Sequence, residues 1–217
     1  MTATTTRTRP TRPVGTVGLA FWRQSWAGLR VLLVLTVLLG VVYPLMVTGI
    51  SQVTMRWQAE GSLLTANGGR TTDRSEAVGS ALIGQPFDGP SWFQPRPSAA
   101  GDGYDTLASA GSNLGPLDRD LLAAVDQRRA DLAAADGVAP GALPPDAVTA
   151  SGSGLDPDIS PAYARLQVNR VARERGLSRD EIAALVERQV VGRDLGFLGE
   201  PRVNVLRLNL ALQTMGS

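Results

Sequence analysis

The chain has 217 residues, which suffices for one ordinary domain and an appendage, and 43% of them are hydrophobic. Its 21 basic residues are all arginines that nearly balance 20 acids, and it contains neither histidine nor cysteine. The composition therefore excludes disulfides, thiolate and histidine-ligated metal sites, and Ser–His–Asp or Cys–His catalysis in their usual form.

The N-terminal part predicts a tail and a membrane anchor. Residues 1–26, rich in Thr, Arg, Pro and Gly, predict a disordered basic tail, and residues 27–55 predict a transmembrane helix. Residues 31–55 carry no charge, and 25 helical residues extend about 38 Å, enough to cross a hydrocarbon core of about 30 Å. A cleaved signal peptide has a shorter apolar core and a small-residue cleavage site, which is missing here. We expect a retained single-pass anchor.

The charge distribution predicts the orientation of the anchor. Residues 1–30 hold five arginines and no acid, which leaves 16 arginines and 20 acids, a net charge of −4, in the rest. Arginines within about 20 residues of the span are equal in number on its two sides. The positive charge of residues 1–30 favours the cytoplasmic side for the tail, and a long domain is translocated largely regardless of its charge. We therefore expect the tail in the cytoplasm and the domain outside the plasma membrane.

Tyr43 and Pro44 lie in the later half of the span. Proline frees a backbone carbonyl and permits a bend, but many membrane helices tolerate it without consequence. The alternative is a functional kink packed against neighbouring helices, with Gly49 on a small-residue face suited to helix contact.

The remainder predicts a connector at residues 56–78 and a soluble α+β domain at residues 79–217. The domain begins with a short strand and a proline-rich loop that contains Phe87, Trp92 and Phe93. These aromatics either fill the core or anchor an interface. The candidate partner interface therefore comprises Tyr43, Pro44, Gly49, Phe87, Trp92, Phe93 and Arg96.

Local signals place further elements along the domain. A helix is expected over about 117–135, with Pro116 before it, and a strand over Val148–Ala150. Capping residues predict two more helices, one from Ser160-Pro161 to Gly176 and one from the capping box at Ser178–Glu181 to Gly192. The chain then closes with a strand around Val203 and a helical turn from Leu206. Acids interleave with the helical arginines, which favours a solvated surface and not nucleic-acid binding.

Six segments, taken in order over residues 43–212, together resemble the C chain of the Kdp-type potassium-transporting P-type ATPase. They are YPLMVTGISQ, GSALIGQPF, WFQPRPSA, SNLGP, VTASGSGLDPDISPAYARLQVNRVARERGLS and LGFLGEPRVNVLRLNLAL. The resemblance implies a single-pass accessory subunit of a complex that imports K⁺ at the expense of ATP. Its implied partners are the ion-conducting and ATP-hydrolysing subunits and membrane lipid, with no nucleic acid.

The resemblance also implies assembly of the complex and a catalytic chaperone role that raises the ATP affinity of the ATP-hydrolysing subunit. We expect no catalytic residue, no metal and no stably bound cofactor, with ATP at most shared with that subunit. The alternative is a membrane-anchored extracytoplasmic enzyme or binding module acting alone, with the aromatic loop as its site.

The segment Ser151, Gly152, Ser153 and Gly154 is the candidate nucleotide site. Its backbone N–H groups could form a nest for phosphate oxygens, assisted by the helix that begins after Ser160. However, Asp156 and Asp158 would repel phosphate, and a domain outside the cell meets no ATP. We therefore interpret the segment as a structural turn.

Overall fold

The computed structural model describes residues 14–215, and side-chain surroundings from residue 18 onward. The chain forms two compact units, one up to Arg56 and one from Trp57. The prediction of an α+β domain with a single N-terminal membrane helix is confirmed, since within the described residues one helix, Gly18–Thr54, is long and apolar enough to span a membrane.

The first unit is this helix. It consists of α1 (Val14–Val37), a π-helical segment (Leu38–Val42) and α2 (Tyr43–Thr54). Its apolar side chains are exposed on all sides, as expected of a helix whose solvent is lipid. Trp22 and Trp26 lie one turn apart with ring centroids at 6.2 Å, ahead of the charge-free stretch, a position typical of an interfacial aromatic belt.

The helix begins earlier than predicted. Residues 14–26 are helical, so the prediction of disorder over residues 1–26 is wrong for this part, and residues 1–13 lie outside the described residues. The segment from Leu19 to Trp26 supplies large apolar side chains at helical spacing and has no proline, which explains why the helix continues through it.

Pro44 coincides with a local change of helix type. Because proline has no N–H to donate to the carbonyl four residues earlier, the preceding turn is released from the α-helical pattern. The turn widens, and the Tyr43 N–H donates to the Leu38 carbonyl, five residues back. Tyr43, Pro44 and Gly49 are exposed on this helix, and their role in helix contact stays a prediction.

Within the described residues, the second unit contains two small antiparallel sheets, six α-helices and a short 3₁₀ helix, Pro140–Ala142. A hairpin pairs β1 (Leu63–Thr65) with β2 (Ala77–Ser80). In the other sheet, of order β3-β5-β4, the strands are β3 (Asp158–Ile159), β4 (Val190–Val191) and β5 (Arg202–Asn204). The helices are α3 (Arg56–Ala59), which starts at the unit boundary, α4 (Arg119–Asp136), α5 (Pro145–Val148), α6 (Pro161–Arg175), α7 (Arg179–Gln189) and α8 (Val205–Gln213).

The main core lies where α6, α7 and α8 meet β5. Its largest fully buried side chains include Tyr163 and Ile182 from the helices, Val203 from the strand and Phe93 from the proline-rich loop. A second, smaller cluster joins the hairpin to α8 through Leu64, Ala81, Leu206 and Leu210.

Helix termini follow the local signals closely. Ser160 caps α6 by accepting the Tyr163 N–H, Ser178 and Glu181 form the capping box of α7, and Gly137 and Gly176 take left-handed conformations after α4 and α6. Helix α4 starts slightly later than predicted because the Asp118 carboxylate accepts the N–H groups of Asp120 and Leu121.

Three expectations are corrected. Residues 57–78, predicted as connector, belong to the soluble unit, because Leu64 of the hairpin is buried against α8. Val148–Ala150 is not a strand, since Pro144 and Pro145 start the short helix α5 there. Helix α7 ends at Gln189 and not at Gly192, because Val190 and Val191 pair with β5 as strand β4.

Candidate functional site

The proline-rich loop is held through its backbone by buried polar side chains. Asn209 of α8, only 1% exposed, brackets Phe93: the Phe93 N–H donates to Asn209 Oδ1, and Asn209 Nδ2 donates to the Phe93 carbonyl, both at 2.9 Å. Gln167 of α6 brackets Gln94 in the same way. The Gln94 N–H donates to Gln167 Oε1 at 2.7 Å, and Gln167 Nε2 donates to the Gln94 carbonyl at 3.1 Å. Two amide side chains thus supply the hydrogen bonds that a neighbouring strand normally provides.

Arg170 also binds the loop, and together with Asn209 and Gln167 it forms what we call the clamp. Its Nη1 donates to the Pro90 carbonyl and, at 2.9 Å, to the Trp92 carbonyl, and its Nη2 donates to Gln167 Oε1 at 2.6 Å. The guanidinium therefore fixes the loop and orients the amide that holds Gln94.

The charge of Arg170 is balanced by a buried carboxylate. Arg170 Nε donates to Asp136 Oδ1 at 2.7 Å, and neither side chain is more than 4% exposed. Burial raises the pKa of Asp136, while the hydrogen bond and charge of Arg170 oppose that rise. The pair ties the end of α4 to the clamp, and removal of one partner would leave a buried charge unpaired.

The loop aromatics divide between the two predicted roles. Phe93 is fully buried in the core, so its proposed interface role is wrong. Phe87 and Trp92 pack against the core but keep part of their surface exposed, with ring centroids 6.0 Å apart. The guanidinium of Arg175 lies 4.2 Å from the Trp92 ring centroid, and its Nε donates to the Ser91 carbonyl at 2.8 Å.

An open groove of about 400 Å³ runs between this loop and α4. Its walls include Phe87 and Leu132 together with Arg128, Asp131 and Tyr104. The Tyr104 hydroxyl donates to the Arg96 carbonyl, and burial raises the pKa of Tyr104 to about 12, so this phenol stays neutral at physiological pH.

Arg96 belongs to an internal ion-pair network. Its Nη1 lies 2.8 Å from Asp156 Oδ2, and the other Asp156 oxygen accepts the Asp158 N–H. Asp158 in turn accepts from Asn204. Since these carboxylates are engaged in the fold, Arg96 stabilises the domain, and its contact with a partner stays a prediction.

The candidate nucleotide segment forms a packed turn. The Ser153 N–H donates to Ser151 Oγ at 3.2 Å, the Gly154 N–H to the Ser151 carbonyl at 3.2 Å, and the Leu155 N–H to Ser153 Oγ at 3.1 Å. The carbonyls of Ser153 and Gly154 accept from Ser109 and Ser98. The N–H groups of residues 153 to 155, which a phosphate nest would need, therefore already have internal acceptors, and nucleotide binding here stays a prediction.

An exposed apolar tip lies between β4 and β5, over residues 193–200. Leu195, Phe197 and Leu198 are 82%, 68% and 49% exposed. Asp194 and Leu198 exchange two backbone hydrogen bonds of 2.9 Å, and Arg193 pairs with Glu200 at 2.7 Å across the base. Leu195 has a φ of 54°, in the left-handed region, which is an unfavourable conformation for a leucine.

Sequence reasoning identified neither the tip nor the clamp. The signal for the tip is the run Leu195-Gly-Phe-Leu-Gly199, in which large apolar residues alternate with turn-forming glycines and so cannot all face a core. The clamp leaves no local signal, because its partners lie far apart in the chain.

Comparisons with known proteins agree over nearly the whole chain. Residues 25–214 match the family described as KdpC: K⁺-transporting ATPase, c chain. A potassium-transporting ATPase KdpC subunit of Kineococcus radiotolerans is 57% identical over 192 residues, covering 88% of this chain and 94% of the relative. The subunits of the same name from Koribacter versatilis (52% identical, 82% and 88% covered) and Mycobacterium bovis (50% identical, 89% and 99% covered) are also similar.

The clamp predicts a large effect of Asn209→Leu. The substitution leaves the buried N–H and carbonyl of Phe93 without partners, so we expect the free energy of unfolding to fall by about 2–5 kcal/mol. Denaturant titration of the full chain in detergent, followed by tryptophan fluorescence, measures this change. Asn169→Leu on the exposed side of α6 is the matched control and should change it by less than about 0.5 kcal/mol. Equal effects at the two positions would contradict the clamp.

The turn at residues 151–154 predicts opposite outcomes for its two glycines. A Cβ at Gly154 would lie 2.6 Å from the Ala110 carbonyl oxygen and 2.7 Å from the Ala100 Cβ, at a φ of 69°. Gly154→Ala should therefore lower the free energy of unfolding by about 2–4 kcal/mol. At Gly152 no atom lies within 4 Å of an added Cβ, so Gly152→Ala should be nearly neutral in the same titration. A stable Gly154→Ala protein would show that the turn is not packed as described.

Proposed function

The chain belongs to the family of the K⁺-transporting ATPase c chain, KdpC, and from this we propose that it is a non-catalytic accessory subunit of a K⁺-importing P-type ATPase complex. In this role its single helix anchors the soluble domain in the membrane. The domain stabilises the assembled complex by contact with the ion-conducting and ATP-hydrolysing subunits.

The apolar tip at residues 193–200 is the observation that carries this proposal. A solvent-exposed aromatic flanked by leucines is unfavourable in water, and interfaces concentrate their binding energy in such anchors. Because the backbone of the tip is closed by paired hydrogen bonds, little conformational entropy is lost when a partner covers it. Residues Phe87 and Trp92 offer a second, partly exposed aromatic surface on the same domain.

The soluble domain works on the outer side of the membrane. The excess of arginine over acid in residues 1–30 supports a cytoplasmic tail, and Arg23 and Arg30 lie on the N-terminal side of the charge-free stretch.

The domain raises the ATP affinity of the ATP-hydrolysing subunit without holding the nucleotide. The commitment of the N–H groups of residues 153 to 155 to internal acceptors supports an indirect effect. A subunit that contacts the nucleotide-binding conformation of its partner more favourably than the other conformation increases the population of that conformation, and with it the apparent affinity.

The orientation can be tested with single cysteines, since the natural chain contains none. Leu107→Cys places a thiol at a position that is 97% exposed in the soluble unit. We expect a membrane-impermeant maleimide to label it in intact cells, whereas Thr6→Cys in the tail should react only after permeabilisation. The reverse pattern would place the domain in the cytoplasm and contradict the outer-side assignment.

The docking role predicts that Phe197→Ser weakens association with the other subunits. Loss of one buried aromatic anchor should reduce retention of the chain in the affinity-purified complex about tenfold or more, because burial of such a side chain is worth about 1.5–3 kcal/mol. The KM for ATP of the purified complex should rise in parallel.

Leu117→Ser, at a position that is 88% exposed ahead of α4, is the matched control for loss of exposed apolar surface. It should leave both retention and the KM unchanged. A Phe197→Ser complex of normal composition and normal ATP affinity would refute docking through the tip.

A further inference from the structure

At the start of the soluble unit, the indole of Trp57 has two guanidinium groups beside it. The Cζ atom of Arg70 lies 4.4 Å from the centroid of the Trp57 ring, and that of Arg207 lies 5.8 Å from it. Three parts of the unit, namely α3, the connection between β1 and β2, and α8, thus bring two cations to one aromatic ring. Cation–π attraction holds both side chains in this arrangement.

The indole is itself fixed. Its Nε1 donates to the Leu63 carbonyl at 2.8 Å, and its ring packs against the second core cluster, which includes Leu64, Leu206 and Leu210. The two guanidinium groups are therefore presented on a rigid platform. Such preorganisation reduces the entropy that a ligand must overcome on binding.

Chain connectivity keeps Trp57 of this cluster close to the C-terminal end of the membrane helix. The helix of the span ends at Thr54, and only three peptide units separate it from Trp57, so the two Cα atoms are at most about 11 Å apart. The interfacial layers of a bilayer add about 10–15 Å in total to the hydrocarbon core. This restriction follows from covalent geometry and holds for either orientation of the chain.

We propose that Trp57, Arg70 and Arg207 form a binding site for the phosphate group of an anionic phospholipid in the leaflet where the span ends. Guanidinium groups present planar pairs of N–H donors that match phosphate oxygens, and tryptophan favours the interfacial layer. The site requires the membrane span but not the accessory role, so it can stand or fail separately from the proposed function.

Lipid retention by the purified full chain tests this site. The chain is held in detergent micelles that contain equal amounts of phosphatidylglycerol and phosphatidylcholine, and native mass spectrometry counts each lipid that remains bound. We expect preferential retention of phosphatidylglycerol. Arg70→Gln should reduce this preference about fivefold and Arg70→Gln with Arg207→Gln about 25-fold, since each arginine near a membrane surface is worth about 1 kcal/mol.

The matched control is Arg129→Gln with Arg173→Gln, which removes two charges from side chains that are 40% and 60% exposed on helix surfaces. It should leave the preference unchanged. Because Arg70 is exposed, its single variant separates lost binding from lost folding even if the double variant is unstable. Equal loss in both pairs of variants would overturn the proposal, as would displacement of phosphatidylglycerol by excess inorganic phosphate, which would indicate a site for soluble anions.

Discussion

The soluble unit depends on three side chains that replace a missing strand. The loop at residues 90–94 runs through the domain as irregular backbone, and its one proline, Pro90, has no N–H to donate to a sheet ladder. A buried backbone N–H or carbonyl without a partner destabilises the fold. The hydrogen bonds of Asn209 to Phe93 and of Gln167 to Gln94 remove this penalty, so that Phe93 can be buried. Arg170 then fixes the two carbonyls that these amides do not reach.

This arrangement links segments that would otherwise be independent. Arg170 requires Asp136, so the end of α4 is coupled to α6, and the amide of Asn209 adds α8. Helix α8 follows β5 directly, and β5 forms one side of the frame that carries the apolar tip. The polar clamp and the proposed contact surface are therefore connected through two consecutive elements of the fold, β5 and α8.

The parts of the fold that depend on neighbouring residues could be predicted from sequence. Ser160, the Ser178–Glu181 box and Gly176 act within one helical turn, and the charge-free span is defined by its own composition. The clamp joins Gln94 to Gln167, 73 positions away, and Phe93 to Asn209, 116 positions away. No local sequence pattern indicates such pairs. The first strand of the hairpin leaves no local signal for the same reason, because Leu64 becomes a core residue only when α8 packs against it. The sequence alone leaves open which aromatic side chain of the loop is buried. Phe93 is the buried one, and it is the residue whose backbone Asn209 brackets.

The packed turn at residues 151–154 bears on the proposed effect of the chain on the nucleotide affinity of its partner. Direct contact would require its amides to exchange internal acceptors for phosphate, at the expense of a turn on which Ser98 and Ser109 also depend. An indirect effect requires only that the domain bind one conformation of the pump better than another, and a coupling of 1–3 kcal/mol changes an affinity about 5- to 150-fold. A single apolar anchor such as Phe197, covered in one conformation and exposed in the other, is worth about that much. In the proposed role, a tip that keeps its place on the domain distinguishes the two conformations, whereas a flexible tip would follow its partner through both.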